Sequence, residues 1–157
     1  KRFMYNESFK TPLLIKWPNV ITPNTTEDEM VQNLDFAQTF LDIAGVSAPD
    51  DMQGESLVPL LKGEKEKWDR ELFEQYLMGN AIRTERYRLV AWQDTRLAKN
   101  SRPLFVELYD HQHDPNESIN VAEQHPKQVA KLLKQLYAGW QVSKAPSREP
   151  SIAGQTR

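Results

Sequence analysis

The sequence of 157 residues contains no cysteine. This absence excludes disulfide bridges, thiolate metal sites and a cysteine nucleophile from the chain. No apolar stretch approaches the roughly 20 residues that a membrane-spanning helix requires. Acidic and basic residues nearly balance, giving a formal net charge of −2, so no strong electrostatic field favours nucleic acid or an anionic membrane. We therefore expect neither a membrane span nor a nucleic-acid partner.

The chain opens with a short apolar run between two prolines. Leu13–Trp17 is apolar except for Lys16, and Pro12 and Pro18 lie on either side of it. Because proline does not donate to a sheet ladder, both prolines fit the limits of a strand. A nearly continuous apolar run is typical of a strand covered on both faces in a parallel sheet. Such a strand needs neighbours and little sequence precedes it, so we expect the chain to begin inside an α/β domain.

Two helices are predicted in the next part of the chain, after a brief strand at Met30-Val31. Asn33 is positioned to cap the first helix and Gly45 to end it. Ser56 is positioned to cap a second, short helix, in which Pro59 falls within the first turn. The first helix carries an apolar face formed by Leu34, Ala37, Phe40, Leu41 and Ala44.

Short runs rich in β-branched and aromatic residues follow, separated by polar turns. Runs at this spacing favour an antiparallel sheet. Arg83–Tyr87 would form the tight turn between two of the strands. The predicted strands are Glu71–Leu77, Ala81–Arg83, Tyr87–Trp92 and Leu104–Tyr109.

A turn, a helix and a tail complete the sequence. Asp114-Pro115-Asn116 signals the turn, and Pro126 opens the helix. The apolar residues of this helix recur at helical spacing and can cover one face of the sheet. Residues 143–157 are polar and are predicted to be disordered. The apolar stripe of the helix consists of Val129, Leu132, Leu133, Leu136, Tyr137 and Trp140.

Five blocks of sequence, taken in order, share their pattern with a known enzyme family. The first block reads Lys-x-x-x-Tyr-x-Glu-Ser-x-x-x-Pro-Leu-Leu-Ile-x-Trp-Pro from residue 1 to residue 18. The set resembles the C-terminal part of the type I sulfatases, which are sulfuric ester hydrolases of the alkaline phosphatase superfamily. The other four blocks are Leu34–Gly45, Met52–Gly63, Ala81–Val90 and Glu107–Glu117.

The resemblance implies an architecture of the α/β, alkaline phosphatase/sulfatase-like class. Residues 1–66 would end the large catalytic α/β domain, truncated at its N-terminal side. Residues 67–142 would form a small α+β subdomain with a short antiparallel sheet and a C-terminal helix. The blocks Met78-Gly-x-Ala-Ile-Arg-Thr-x-x-Tyr-Arg88 and Glu107-Leu-Tyr-Asp110 look most similar to iduronate-2-sulfatase-like members.

The same resemblance implies an activity that this chain does not carry alone. Type I sulfatases hydrolyse sulfate esters, here on a carbohydrate, with calcium and with a formylglycine made within a Cys/Ser-x-Pro-x-Arg motif. That motif is not found in the sequence, and most calcium ligands of the family would lie outside it. We therefore expect the N-terminal part of the same sulfatase as a partner and expect the isolated chain to be inactive. The family also implies a periplasmic, lysosomal or secreted protein.

Lys1 is the candidate catalytic residue. By resemblance it occupies the position of a family lysine that contacts the sulfate of the substrate. A compact ammonium group can neutralise a sulfate oxygen and stabilise the charge that grows on the ester oxygen. The alternative is a solvated lysine at the chain terminus.

Arg83 is the candidate substrate-binding residue, and Arg86 and Arg88 are near it in sequence. Guanidinium groups at the end of the small sheet could bind carboxylate or sulfate groups bidentately. Ordinary hairpin charges, with Glu85 as a local partner, are the alternative. Strand alternation predicts that Arg86 and Arg88 share a face and that Tyr87 points the other way.

The stretch Asp110-His-Gln-His-Asp114 has the composition of a metal site. The adjacent Asp-Pro pair and the resemblance both favour a structural turn, so we predict no metal here. Trp92 is predicted to be a core or domain-interface residue, with a glycan cleft as its alternative. For the whole protein two other functions stay open, namely a noncatalytic binding module and a related hydrolase of phosphate or phosphonate esters.

Overall fold

The computed structural model describes residues 3–64, 68, 70–76, 78–93 and 102–139. Lys1, Trp140 and the predicted tail at 143–157 lie outside the described residues. The described residues divide into two compact units, one drawn from 3–30 and 68–139 and the other from 31–64. The domain boundary near residue 66 remains a prediction.

The first unit is built on a four-stranded antiparallel sheet with strands in sequence order. The strands are β1 (Leu72–Tyr76), β2 (Gly79–Arg83), β3 (Tyr87–Trp92) and β4 (Phe105–Asp110). The predicted antiparallel sheet is therefore confirmed. The predicted tight turn is also present, because the Thr84 amide donates to the Tyr87 carbonyl at 2.8 Å.

Helix α4 (Pro126–Gly139) covers one face of this sheet, as its apolar stripe predicts. The core between them contains Ile82, Leu89 and Leu108 from the strands and Leu132 and Leu136 from the helix. All five side chains are almost completely buried. We call this side of the sheet the helix face.

The opposite side of the sheet carries a segment from the start of the chain. We call residues Phe3–Phe9, which include the single-turn helix α1 (Asn6–Phe9), the anchor segment. Met4 is fully buried and forms a second apolar cluster with Ala81 and Val90. Gly79 permits this approach, since a Cβ atom there would lie 2.7 Å from Cγ of Met4.

The second unit contains helix α2 (Leu34–Ile43) and the short helix α3 (Val58–Leu61). Both helices were predicted, and Pro59 lies in the first turn of α3 as expected. The predicted side-chain cap from Asn33 is absent. Asp35, in the first turn of the helix, instead connects the segments on either side of it, because its two carboxylate oxygens accept the Gln32 amide at 2.6 Å and the Glu55 amide at 3.0 Å.

The apolar face of α2 does not form the core of its unit. The buried residues of the helix are Asp35 and Thr39, whereas Leu34 and Phe40 are largely exposed. Thr39 Oγ1 donates to the Asp35 carbonyl at 2.6 Å and accepts the Leu57 amide at 2.9 Å. Hydrogen bonding to the α2–α3 connection therefore decides which side of the helix faces inward, and the apolar side is left uncovered.

The predicted strand at Leu13–Trp17 is not formed in this structure. Among the described residues, all strand pairing occurs between residues 72 and 110, and residues 10–16 have no regular structure. Leu14 is 95% exposed. A strand exists only through its hydrogen-bonded neighbours, and none of the described segments pairs with this one. The predicted brief strand at Met30-Val31 is absent for the same reason.

The helices in the described part of the chain do not have the length and apolar character of a membrane span.

Uncovered apolar side chains predict that residues 1–157 alone self-associate. Leu14 and Phe40 are each more than two-thirds exposed, and exposed apolar patches promote association. We expect oligomers or aggregates in size-exclusion chromatography with light scattering, and we expect Leu14→Lys to reduce them. The control is Ile119→Lys, which replaces an exposed isoleucine outside the apolar run Leu13–Trp17. This change should reduce the association less. A stable monomer with cooperative unfolding would contradict this prediction.

Candidate functional site on the polar face of the sheet

The anchor segment covers a sheet face that carries charged side chains. Because side chains alternate along a strand, Glu74, Arg83, Arg88, Glu107 and Tyr109 lie on the side opposite α4. We call this side the polar face. Charged groups under a covering segment must find partners, since an unpaired buried charge is costly. The polar face is therefore where the geometry of this unit is most tightly specified.

Arg88 is the centre of a buried ionic cluster on the polar face. Its side chain is 2% exposed and forms ion pairs with Glu74 and Glu117. The Arg88 Nε atom donates to Glu117 Oε1 at 2.7 Å, and Nη1 donates to Glu74 Oε2. On the other side Nη2 donates to Asn6 Oδ1 at 2.8 Å, and Nη1 lies 3.4 Å from the Met4 carbonyl oxygen. One guanidinium thus joins β1, β3, the loop after β4 and the anchor segment.

The two acids of the cluster have pKa values displaced in opposite directions. Burial raises the pKa of Glu74, although the charge of Arg88 acts against it. Burial also acts to raise the pKa of Glu117, but the hydrogen bond from His111 and the charge of Arg88 outweigh it and lower that pKa. His111 Nε2 lies 2.6 Å from Glu117 Oε1, and the Asn6 amide donates to Glu117 Oε2 at 2.8 Å. Glu117 therefore keeps its negative charge to a lower pH than Glu74 does.

A second buried acid organises the aromatic residues of the polar face. Glu107 accepts the indole N–H of Trp92 at 2.8 Å and the hydroxyl of Tyr5 at 3.1 Å. The Tyr5 ring meets the Tyr109 ring edge-on at 5.9 Å, and Phe3 stacks on Tyr5 at 5.8 Å. Burial, followed by the charge of Glu107, raises the pKa of Tyr109. Trp92 is partly buried and packs against the apolar cluster of Met4, Ala81 and Val90.

Arg83, the predicted substrate contact, lies at the end of β2 directly opposite Arg88. Its Nη1 donates to the main-chain oxygen of Glu85 at 2.8 Å. Burial, and then the nearby charge of Arg88, lower the pKa of Arg83. Glu85 is therefore a local partner of Arg83, as the alternative interpretation predicted. The contact is made with the Glu85 main-chain carbonyl, whereas that interpretation concerned the charges of the two side chains. The substrate-binding role of Arg83 stays a prediction, and so does the role of Lys1, which lies outside the described residues.

The prediction that Arg86 and Arg88 share a face is wrong. The Arg86 guanidinium forms a two-point contact with Asp110, from Nε to Oδ1 at 2.9 Å and from Nη2 to Oδ2 at 2.7 Å. It also lies over the Tyr87 ring at 4.8 Å from the ring centroid. β3 begins only at Tyr87, so alternation does not extend back to Arg86. Arg86 accordingly pairs on the helix-face side.

The histidine-containing stretch forms the predicted turn. His113 Nδ1 lies 2.9 Å from Asp110 Oδ2, and Asp114 Oδ2 accepts the amides of Ser118 and Ile119 at 2.6 and 2.7 Å. Glu117, which follows this turn, adopts a positive φ of 54°, and its carboxylate accepts from Arg88.

A calcium ion of the kind that the resemblance implies does not fit the described residues. Hard cations such as calcium take six to eight oxygen ligands. Within the described ranges, no three His, Asp or Glu side chains are grouped so that they could hold a metal ion. The buried acids Glu74 and Glu117 already face a guanidinium.

Solved structures define the class to which this fold belongs. A protein solved in complex with its substrate D-glucosamine-2-N,6-O-disulfate superposes with a TM-score of 0.66 at 27% identity, covering 83% of this chain and 29% of that chain. A phosphonate monoester hydrolase from Silicibacter pomeroyi gives a TM-score of 0.62 at 24% identity over 79% of this chain and 27% of its own, which shows a shared fold alone. The fold is that of the C-terminal portion of sulfatase-like enzymes, as predicted.

The family follows from the sequence match. The profile described as "N-sulphoglucosamine sulphohydrolase, C-terminal" matches residues 1–142, so the chain belongs to this family. N-acetylglucosamine-6-O-sulfatase of Bacteroides thetaiotaomicron is 38% identical over 126 residues, which cover 77% of this chain and 23% of that protein. The chain thus spans about a quarter of the length of such a relative. The predicted sulfatase resemblance is confirmed, whereas its predicted iduronate-2-sulfatase-like character is not.

Sequence reasoning missed the partners of Arg88. Glu74 lies within a predicted strand, and Glu117 lies in the turn after Asp114. The available signal was Arg88 itself, since it is the one charged residue in the predicted strand Tyr87–Trp92. An arginine in such a strand requires acidic partners on its own face.

The Arg86–Asp110 pair predicts a specific loss of stability in acid. Hydrogen bonds from Arg86 hold the pKa of Asp110 below its ordinary value. A lowered folded-state pKa contributes stability that is fully present above the unfolded value, about 4 for aspartate, and that is lost progressively as the pH falls from there towards the lowered folded-state value. We expect Asp110→Asn to lower the thermal unfolding midpoint at pH 7 and to lower it less at about pH 2.

The control for this prediction is the other member of the pair. Arg86→Gln should likewise make the thermal unfolding midpoint less dependent on acid pH. The midpoint of the double variant should be little lower than that of either single variant. Additive losses in the double variant at pH 7 would show that the two side chains do not act together.

Proposed function

We propose that this chain is the C-terminal part of a sulfatase that removes a sulfate ester from a carbohydrate. The family match over residues 1–142 carries this proposal. Within that class, we favour a 6-O-sulfated glucosamine as the substrate. The support is the 38% identity to an N-acetylglucosamine-6-O-sulfatase and the fold shared with a protein whose named substrate is a 6-O-sulfated glucosamine.

The partner in this proposal is the N-terminal part of the same enzyme. Uncovered apolar side chains at Leu14 on one unit, and at Leu34 and Phe40 on the other, support it because they leave surface for further sheet and helix packing. Residues outside this chain would supply the formylglycine and the calcium ligands. The family also supports a secreted, periplasmic or lysosomal location for the whole enzyme.

Lys1 would contribute the positive charge at the sulfate. The ammonium group would neutralise a non-bridging oxygen of the sulfate and stabilise charge that develops as the ester bond breaks. Arg83 is proposed as a second contact, toward a carboxylate or sulfate of the carbohydrate, because it lies half-buried at the end of β2. Neither role requires the isolated chain to be active.

Hydrolysis of a phosphate or phosphonate ester, in which a phosphorus-centred group replaces the sulfate, is the second candidate. The fold shared with a phosphonate monoester hydrolase favours testing it, because the same architecture serves phosphorus chemistry in that protein. The longer protein that carries this chain should be assayed on matched aryl sulfate, aryl phosphate and aryl phosphonate esters, and then on 6-O-sulfated N-acetylglucosamine and 2-O-sulfated uronates. A preference for the phosphorus esters would overturn the sulfatase proposal, and no turnover of any ester would favour a noncatalytic module.

Replacement of Lys1 in the longer protein gives the sharpest prediction of this proposal. We expect Lys1→Ala to lower kcat for the sulfate ester by about 10²–10³-fold, the usual effect of removing one group that stabilises transition-state charge. Lys10→Ala, which removes an exposed lysine at the end of the anchor segment, is the control and should leave kcat unchanged. Equal effects of the two replacements on kcat would contradict the assigned role.

A further inference from the structure

The anchor segment is attached to the sheet by contacts along its whole length. Met4 is fully buried against Ala81 and Val90. Tyr5 donates its hydroxyl to Glu107, and the Asn6 amide donates to Glu117 at 2.8 Å. The segment therefore has a single defined position on the polar face, although α1 is only four residues long and would not form a stable helix alone.

Arg88 is the residue on which these attachments converge. It is the basic side chain between the two acids Glu74 and Glu117, and it also donates to Asn6 at 2.8 Å. The Phe9 ring lies 5.9 Å from its guanidinium carbon. A planar fork with five N–H donors is suited to holding three elements in fixed directions, and a lysine ammonium is not.

We infer that Arg88 is a positioning residue for the sulfatase reaction: through the buried cluster it fixes the anchor segment, and thereby limits how far Lys1, three residues before Met4 in the sequence, can lie from the polar face. This inference rests on the proposed function. Three peptide units separate Lys1 from the buried Met4, and such a length spans at most about 11 Å. A shift of Met4 on the sheet would therefore also displace Lys1, whose ammonium group would contact the sulfate in the proposed function.

The expected consequence is a loss of rate more than a loss of binding. Catalytic groups act only within a narrow range of geometry, and a misplacement of about 1 Å can cost about 10²-fold in rate. Arg88 itself would not touch the substrate, since its donors are directed at Glu74, Glu117 and Asn6. We therefore expect kcat to fall by about 10–10²-fold with a smaller change in KM.

The test uses the longer protein with Arg88→Lys, which keeps the charge but removes the fork, and Asn6→Ala, which cuts the attachment from the side of the segment. The second variant keeps the test valid if the first folds poorly. Leu132→Ala is the matched control, because Leu132 is equally buried but lies under α4 on the helix face. For each variant, kcat, KM, the thermal midpoint and hydrogen exchange of the amides of residues 4–9 are measured.

Three results support the inference when they occur together. Arg88→Lys and Asn6→Ala lower kcat, exchange at residues 4–9 becomes faster, and Leu132→Ala lowers the thermal midpoint without either effect. The inference is overturned if the Arg88 and Asn6 variants accelerate exchange but keep the wild-type kcat. It is also overturned if Leu132→Ala lowers kcat equally at the same loss of midpoint.

The exchange measurement separates this inference from the proposed function. If the unmodified protein hydrolyses no sulfate ester, the proposed function fails, whatever the exchange rates are. If it does hydrolyse sulfate esters and exchange at residues 4–9 is unchanged in both variants, the function stands and the positioning role of Arg88 is refuted.

Discussion

The structure of the first unit depends on how the charge and the N–H groups of the buried Arg88 are paired with acceptors. A guanidinium removed from water is tolerated only if its charge is matched and its N–H groups find acceptors. Arg88 meets this demand with Glu74, Glu117, Asn6 and the Met4 carbonyl, which belong to parts of the chain far apart in sequence. Breaking such a buried pair by removing one partner usually costs about 3–5 kcal/mol. The cluster therefore constrains where the strands, the loop after β4 and the anchor segment can lie.

The two faces of the same sheet illustrate two ways of specifying structure. The helix face is held by apolar packing of α4 on Ile82, Leu89 and Leu108, which tolerates exchange of side chains of similar volume. The polar face is held by directed ion pairs and hydrogen bonds, which tolerate little change. The directed contacts of the polar face are suited to holding a segment next to a catalytic group. The apolar packing of the helix face mainly contributes to the stability of the unit.

Much of the fold could be predicted from local pattern, and the exceptions have a common cause. β3 was predicted because it is a short run rich in β-branched and aromatic residues, and α4 because its apolar residues recur at helical spacing. β2 begins at Gly79, two residues before its predicted start, because pairing with Trp92 and Ala91 overrides the low strand preference of Gly79-Asn80. Leu13–Trp17 was predicted as a strand, but a local apolar run does not contain the partner strands that would complete it.

The candidate site was less accessible to sequence because its contacts are long-range. Arg88 and Glu117 are 29 residues apart, and Arg88 and Asn6 are 82 apart. No local periodicity links such positions. The sequence does show that Arg88 lies in an apolar strand and therefore needs acidic partners. It does not show which acidic residues these are. Lys1 was identified as a candidate from the family resemblance. The buried cluster around Arg88, which would hold the neighbouring anchor segment, was identified only from the structure.

In the proposed function these residues act as one part of a sulfatase whose formylglycine and calcium ligands lie on other residues. The decisive experiment combines native mass spectrometry of the protein purified from its source with a measurement of sulfate release from a 6-O-sulfated glucosamine. We expect the activity to accompany a species heavier than residues 1–157, joined covalently or not to an N-terminal part. Sulfate release by a species with the mass of residues 1–157 alone would show instead that these residues carry the whole activity.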